Sequence, residues 1–295
     1  MSTAPGPWSD LGGGVQVRQS VAFGMNSTLL LHPEHAVVVD PGVLPSELDD
    51  LARAVREADP ARVTLFFTHA HWDHVLGRPW WPDAETLAHD HFTSSVRAQR
   101  DHVLDQARKQ AEAHGEAWNQ GFEAFRLDHA VSGLHLLKLG PWRLVLRDAP
   151  GHHDTQLTAH LPEQRLLIAA DMLSDREPPL LARPCSVYRR TLQELWPLAE
   201  HGAIDTLVPG HGSVARGRDE VVARLRRDLA YLERLEAAVR AALREGLSLE
   251  QTEERLGAPD GPLRRAEPGT SDDHANNVAE EYRAAAASPR RRVPG

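Results

Sequence analysis

Thr68-His69-Ala70-His71-Trp72-Asp73-His74 sets three imidazoles and one carboxylate within six consecutive positions, 69–74. A lone loop histidine is most simply a solvated one. Four such groups crowded together are costly without a compensating cation. Imidazole nitrogens and carboxylate oxygens are the ligand set of zinc and similar borderline ions. One turn can aim His69 and His71 at one ion and Asp73 and His74 at a neighbour. Further residues of the same types stand at recurring places. His152 follows LVLRDAPG, Asp171 ends RLLIAAD, His211 follows DTLVPG and Asp40 ends AVVVD. Each time an apolar run stops and a metal-type side chain appears at its carboxyl end.

The elements that must position them are legible as patterns. VQVRQSVAF, STLLL and AVVVD read as strands, as do VTLFF (63–67), Glu85–Ala88, 142–149, 157–161, 165–171 and 204–210. VTLFF is continuously apolar, as a strand buried on both faces would be. SELDDLARAVREA (46–58) puts Leu48, Leu51, Ala52 and Val55 on one helical face, with Ser46 as its N-cap. A long helix is expected over 92–118, and another over TLQELWPLAEHG despite Pro197. Beyond Arg216 the register changes. Val221, Val222, Leu225, Leu229, Leu232, Leu235, Val239 and Leu243 form one amphipathic stripe. A shorter helix from Ser248 and one around 271–286 follow. Residues 1–14 read as a loose arm, 15–215 as a catalytic core, 216–286 as a helical extension and 287–295 as a disordered tail.

Composition narrows the class. Forty-one per cent hydrophobic residues over 295 positions can build a large core. A formal net charge of -9 argues against a grip on phosphate backbones, so no nucleic-acid partner is expected. The single cysteine, Cys185, excludes an internal disulfide and a Cys-rich zinc module, and reads as a buried filler. No apolar stretch approaches the ~18 residues of a membrane span. No secretory signal is visible in MSTAPGPWSD. The expectation is a cytoplasmic protein acting on a small molecule. The apolar stripe after Arg216 suggests a homodimer.

THAHWDH at 68–74, APGHH at 149–153, AAD at 169–171 and VPGHG at 208–212 together resemble the metallo-β-lactamase superfamily. The resemblance covers most of residues 15–215. It implies an α/β fold, a four-layer αββα sandwich carrying the C-terminal helical extension, with a dinuclear metal site at one sheet edge. It makes His69, His71 and His152 the ligands of a first metal. Asp73, His74 and His211 become those of a second, with Asp171 as the bridging carboxylate. Two divalent ions are implied, zinc first, with iron or manganese as alternatives. The implied chemistry is hydrolysis of a lactone, thioester, β-lactam or phosphoester by a hydroxide that the two cations share. In it Asp73 orients the nucleophile or relays its proton.

Around this set stand less specific residues. His153 departs from the usual run after the third motif and reads as an outer or surface group, or as a competing ligand. Asp40 orients ligands or simply caps its turn. Trp72, Trp80 and Trp81 are core or substrate wall, and the Pro-rich segment 174–188 reads as a substrate border. Tyr188 is either an oxyanion donor or packing. His274, sharing a helix face with Asn277, is either a visitor at the site's mouth or a surface histidine. The alternatives to a hydrolase are an iron-dependent oxidoreductase like the persulfide dioxygenases, an RNase Z-like nuclease, and a non-catalytic module. The acidic balance disfavours the nuclease, and the complete ligand set disfavours the non-catalytic module.

Overall fold

The computed structural model describes residues 8–257 and 271–287. A first unit runs β1 (Trp8–Gly12), β2 (Val15–Gln19), β3 (Asn26–Leu30), β4 (Ala36–Val39), α1 (Pro45–Ala58), β5 (Val63–Phe66), β6 (Glu85–His89), α2 (Phe92–Ala98), α3 (Arg100–Ala113) and β7 (His129–Val131). A second runs β8 (Leu134–Leu139), β9 (Trp142–Asp148), β10 (Leu157–Leu161), β11 (Leu166–Ile168), α4 (Cys185–Glu200), β12 (Thr206–Val208) and β13 (Ala215–Arg216). Then come α5 (Arg218–Arg244), α6 (Leu249–Leu256) and α7 (Ser271–Ala287).

Alternation within the central strands dictates the layers. In β4, Ala36 and Val38 enter one core with the apolar faces of α1, α2 and α3, while Val37 and Val39 enter another, between the sheets. Leu65 and Phe66 of β5 divide the same way. A third core joins the second sheet to α4, α5 and Val278 of α7. Helices, sheet, sheet and helices therefore stack in the expected order. The first sheet is ordered β1-β2-β3-β4-β5-β6-β7 and the second β13-β12-β11-β10-β9-β8. Strands β4 to β7 are parallel, so their carboxyl ends share one edge.

Several expectations change. Residues 8–12 of the loose arm form β1, which pairs antiparallel with β2; residues 1–7 lie outside the described ones. Ser46 is not the cap of α1. Pro45 occupies the first turn, where its missing N–H costs nothing, and Glu47 Oε2 accepts from Val43 and Leu44 N–H instead. The single helix over 92–118 is two helices ending at Ala113. Leu48, Leu51, Ala52 and Val55 are all buried. The stripe on α5 is consumed within the chain, against α4 and α7, which removes the ground for pairing two copies through it. Among the described residues no helix is long and apolar enough to cross a membrane. The proposed tail, apart from Ala287, lies outside the described residues.

Candidate metal centre

Strand ends bring the expected ligands together. Asp40 follows β4, His69 and His71 follow β5, and a single 3-10 turn, Trp72–His74, carries Asp73 and His74. From the second sheet, His152 follows β9, Asp171 follows β11 and His211 follows β12. Met25, just before β3, bridges to His211 and ties the two sheets at this edge. His69, His71, His152 and Asp171 present ligand atoms within 4.8 Å of one another, as do Asp73, His74 and His211. Asp171 joins the two groups. Its Oδ2 lies 3.2 Å from His152 Nε2 and 3.5 Å from both His69 Nε2 and His211 Nε2; its Oδ1 lies 3.2 Å from His74 Nε2. His152 Nε2 is 3.0 Å from His71 Nδ1, and His211 Nε2 is 3.2 Å from Asp73 Oδ2.

The donor set fits cations. His69 Nε2, His74 Nε2 and Asp171 Oδ1 are buried and find no hydrogen-bond partner outside the cage; they face only one another and the other carboxylate oxygens of the cage. Ligand atoms around a tetrahedral ion with bonds near 2.1 Å stand about 3.4 Å apart, close to the spacings here. The charges tell the same story. Burial raises the Asp73 and Asp171 carboxyls, but the surrounding imidazoles, His74 first, overcome it. Asp73 falls to about 2 and Asp171 well below its ordinary value. Burial lowers His74 and His211, but Asp171 and Asp73 outweigh it and hold both well above 6.5. His69 and His71, pressed by burial and by neighbouring imidazoles, fall; His71 reaches about 3.

The outer residues take definite places. Asp40, in the left-handed region at φ 46°, is more than a turn cap. Its Oδ2 contacts His74 Nδ1 at 2.9 Å and accepts from Thr68 Oγ1 at 2.6 Å; its Oδ1 accepts from Thr68 N–H at 2.7 Å. His153 belongs to neither ligand group. Its Nδ1 accepts from Thr155 N–H at 3.1 Å, and its ring packs 4.8 Å from that of His71. Tyr188 is buried, its hydroxyl donates to the Asp171 carbonyl at 3.2 Å, and it also lines the cavity above the cage. Gly151 (φ 138°) faces the Tyr188 ring so closely that a Cβ there would collide with it. His274 is neither at the metal edge nor on the surface: it is buried, with Nδ1 on Tyr231 Oη at 2.9 Å.

A cavity of about 350 Å³ opens over this cage. His71, Asp73, His152, Asp171 and His211 form its floor, and Phe23, Trp72, Leu173, Pro178, Pro179 and Leu180 much of its wall. Of the three tryptophans near the first motif, Trp72 lines the cavity; Trp81 is buried and Trp80 packs on Trp118. Phe23 and Asp228 also line it and were not singled out in the sequence, whereas Glu177 belongs to the 174–188 segment expected as a substrate border. Asp228 carried a usable signal, an acid on the apolar face of α5 between Leu225 and Leu232; its Oδ2 accepts from Leu173 N–H at 3.2 Å.

The sequence profile of the Metallo-beta-lactamase superfamily matches residues 22–232. The chain belongs to this superfamily. The match covers β3 to β13 and runs into α5, so the extension begins inside it, while β1 and β2 precede it. Probable metallo-hydrolase YqgX of Bacillus subtilis (strain 168) is 24% identical over 154 residues, 50% of this chain and 65% of that protein. The inverting sec-alkylsulfatase Pisa1 of Pseudomonas sp. superposes with a TM-score of 0.72 at 14% identity, over 95% of this chain and 50% of that one. A metallo-beta-lactamase family protein of Thermus thermophilus gives 0.61 at 21% identity, over 96% and 93%. This chain thus spans less than two thirds of the first two relatives. At these identities the structural likeness establishes the superfamily fold.

Proposed function

We propose that the protein is a metal-dependent hydrolase of a small ester, thioester or lactone. The observation that carries this is the joined cage: two groups of buried imidazoles and carboxylates linked through Asp171, whose buried ligand atoms find no hydrogen-bond partner outside the cage, under a cavity of small-molecule size. His69, His71 and His152 would hold one divalent ion and Asp73, His74 and His211 another, with Asp171 between. Such ions supply a water acidified from 15.7 toward ~7 and polarise the oxygen of the bond to be cleaved.

The chain's own groups do the rest. Asp40 fixes the His74 ring through Nδ1, leaving Nε2 turned to the cage. Asp73, kept ionised by the imidazoles of His74 and His211 around it, is placed to orient the attacking water and to relay its proton to the leaving oxygen or sulfur. The water oxygen bonds to the acyl carbon, that carbon's bond to the leaving atom breaks, and the leaving atom takes the proton. Phe23, Trp72 and Leu173 hold the apolar part of the substrate and exclude bulk water. The test is elemental analysis of the purified protein with a panel of lactones, thioesters, β-lactams and phosphodiesters. Zinc or manganese with turnover of an ester-like bond is expected. Iron with oxygen uptake and no hydrolysis would overturn the reading in favour of an oxidoreductase.

A further inference from the structure

One buried amide fastens the last helix to the wall of the cavity. Asn277 of α7 is fully buried. Its Oδ1 accepts from Leu181 N–H at 2.7 Å, and its Nδ2 donates to the Pro179 carbonyl at 2.6 Å and to Tyr231 Oη at 2.8 Å. The side chain thus clips a carbonyl and an N–H two residues apart, as a neighbouring strand would. Pro178 and Pro179 have no N–H to offer, so this stretch is short of donors for fixing itself. One helical turn on, Glu281 accepts from Cys185 N–H at 2.8 Å, at the start of α4. Between these fastenings, Ala182 and Arg183 N–H donate to the Gly151 carbonyl at 2.8 and 3.1 Å, immediately before His152. Segment 179–185 is therefore held from α7 on one side and from a ligand-bearing turn on the other.

We propose that Asn277 is a positioning residue for specificity. By fixing Pro179–Leu181 against α7, it sets how large an acyl or leaving group fits above the cage. The substrates named rest on the hydrolase reading above; the local ordering does not. A substrate too small to reach Pro178–Leu180 ignores the clip, whereas a bulky one feels it as a change in KM.

The test uses the full chain, zinc-loaded, as wild type, Asn277→Ala, Asn277→Asp and Tyr231→Phe. Amide hydrogen exchange over 179–184 is expected to quicken at least tenfold in Asn277→Ala, with the 68–74 segment and the metal content unchanged. For p-nitrophenyl esters from acetate to octanoate, the ratio of long-chain to short-chain kcat/KM should shift at least tenfold, through KM. Asn277→Asp, which keeps an acceptor for Leu181, should fall between, and serves alone if the alanine variant does not fold. Tyr231→Phe loosens α5 from α7 but spares the clip on the loop, and should leave that ratio within twofold. Unchanged exchange overturns the proposal. So does faster exchange with an unchanged chain-length ratio, or a Tyr231→Phe shift equal to that of Asn277→Ala. A zinc-loaded wild type that hydrolyses no member of the panel defeats the hydrolase reading instead, and the exchange result still decides the clip.

Discussion

His74 meets carboxylates on both ring nitrogens: Asp40 at Nδ1, and Asp171 and Asp73 at Nε2. Replacing Asp40 with Asn keeps the shape and removes one of those charges. Metal affinity should drop by about 10–100-fold, the usual effect of losing a group that orients a ligand, as read by competition with a chelator. His71→Ala removes a proposed ligand outright and should abolish both metal and turnover; full occupancy in that variant would disprove the ligand assignment. The metal-free protein should also have a stability maximum near pH 6.5. His71 and His153 are held at about 3 and about 4 in the fold, with His69 also low. Below 6.5 the unfolded chain takes up protons there that the native state refuses, so stability falls with falling pH. His74 and His211 are raised, so their contribution is complete below 6.5 and is lost as pH climbs toward their folded values. Each group contributes a slope of about 1.4 kcal/mol per pH unit within its window. Asp73 stays ionised in both states across this range. Melts of chelator-treated protein between pH 4.5 and 9 should trace a dome; a level profile would contradict these assignments.

At the level of strands and turns, the ends of β4, β5, β9, β11 and β12 were legible because apolar runs stop abruptly at Asp40, His69, His152, Asp171 and His211. Strand β8 was not, because Leu134 and Leu136 stay exposed on an open edge and blur the alternation that marks a strand. Strand β1 was hidden by the glycines of its own hairpin. Tyr188 and His274 were visible as residue types, but their partners, the Asp171 carbonyl and Tyr231, arrive from distant elements and leave no local trace. Turns matter as much as ligands here. Gly210, beside His211, is so close to Asp171 Oδ1 that a Cβ would displace the shared carboxylate. Gly210→Ala should therefore lose metal although no ligand is changed, which a metal-to-protein ratio would reveal.

Over the whole molecule, the helices after Arg216 are part of the core rather than an appendage. Arg224 donates to the Leu173 and Ser213 carbonyls at 3.2 and 2.8 Å, bracing both segments that carry Asp171 and His211. A chain ended at Gly217 should fail to fold or to hold metal. One ended at Gly257 keeps α5 and should melt at a lower temperature than the full chain. Expression, metal content and thermal melts of the two truncations separate these outcomes. The cage draws on both sheets, from His69 near the middle of the first to His211 late in the second, and each half alone supplies an incomplete set of ligands. Cation capture is then a late event in the life of the polypeptide. Stoichiometric uptake from a chromophoric chelator would report, during refolding, the moment when the two halves of the sandwich have docked.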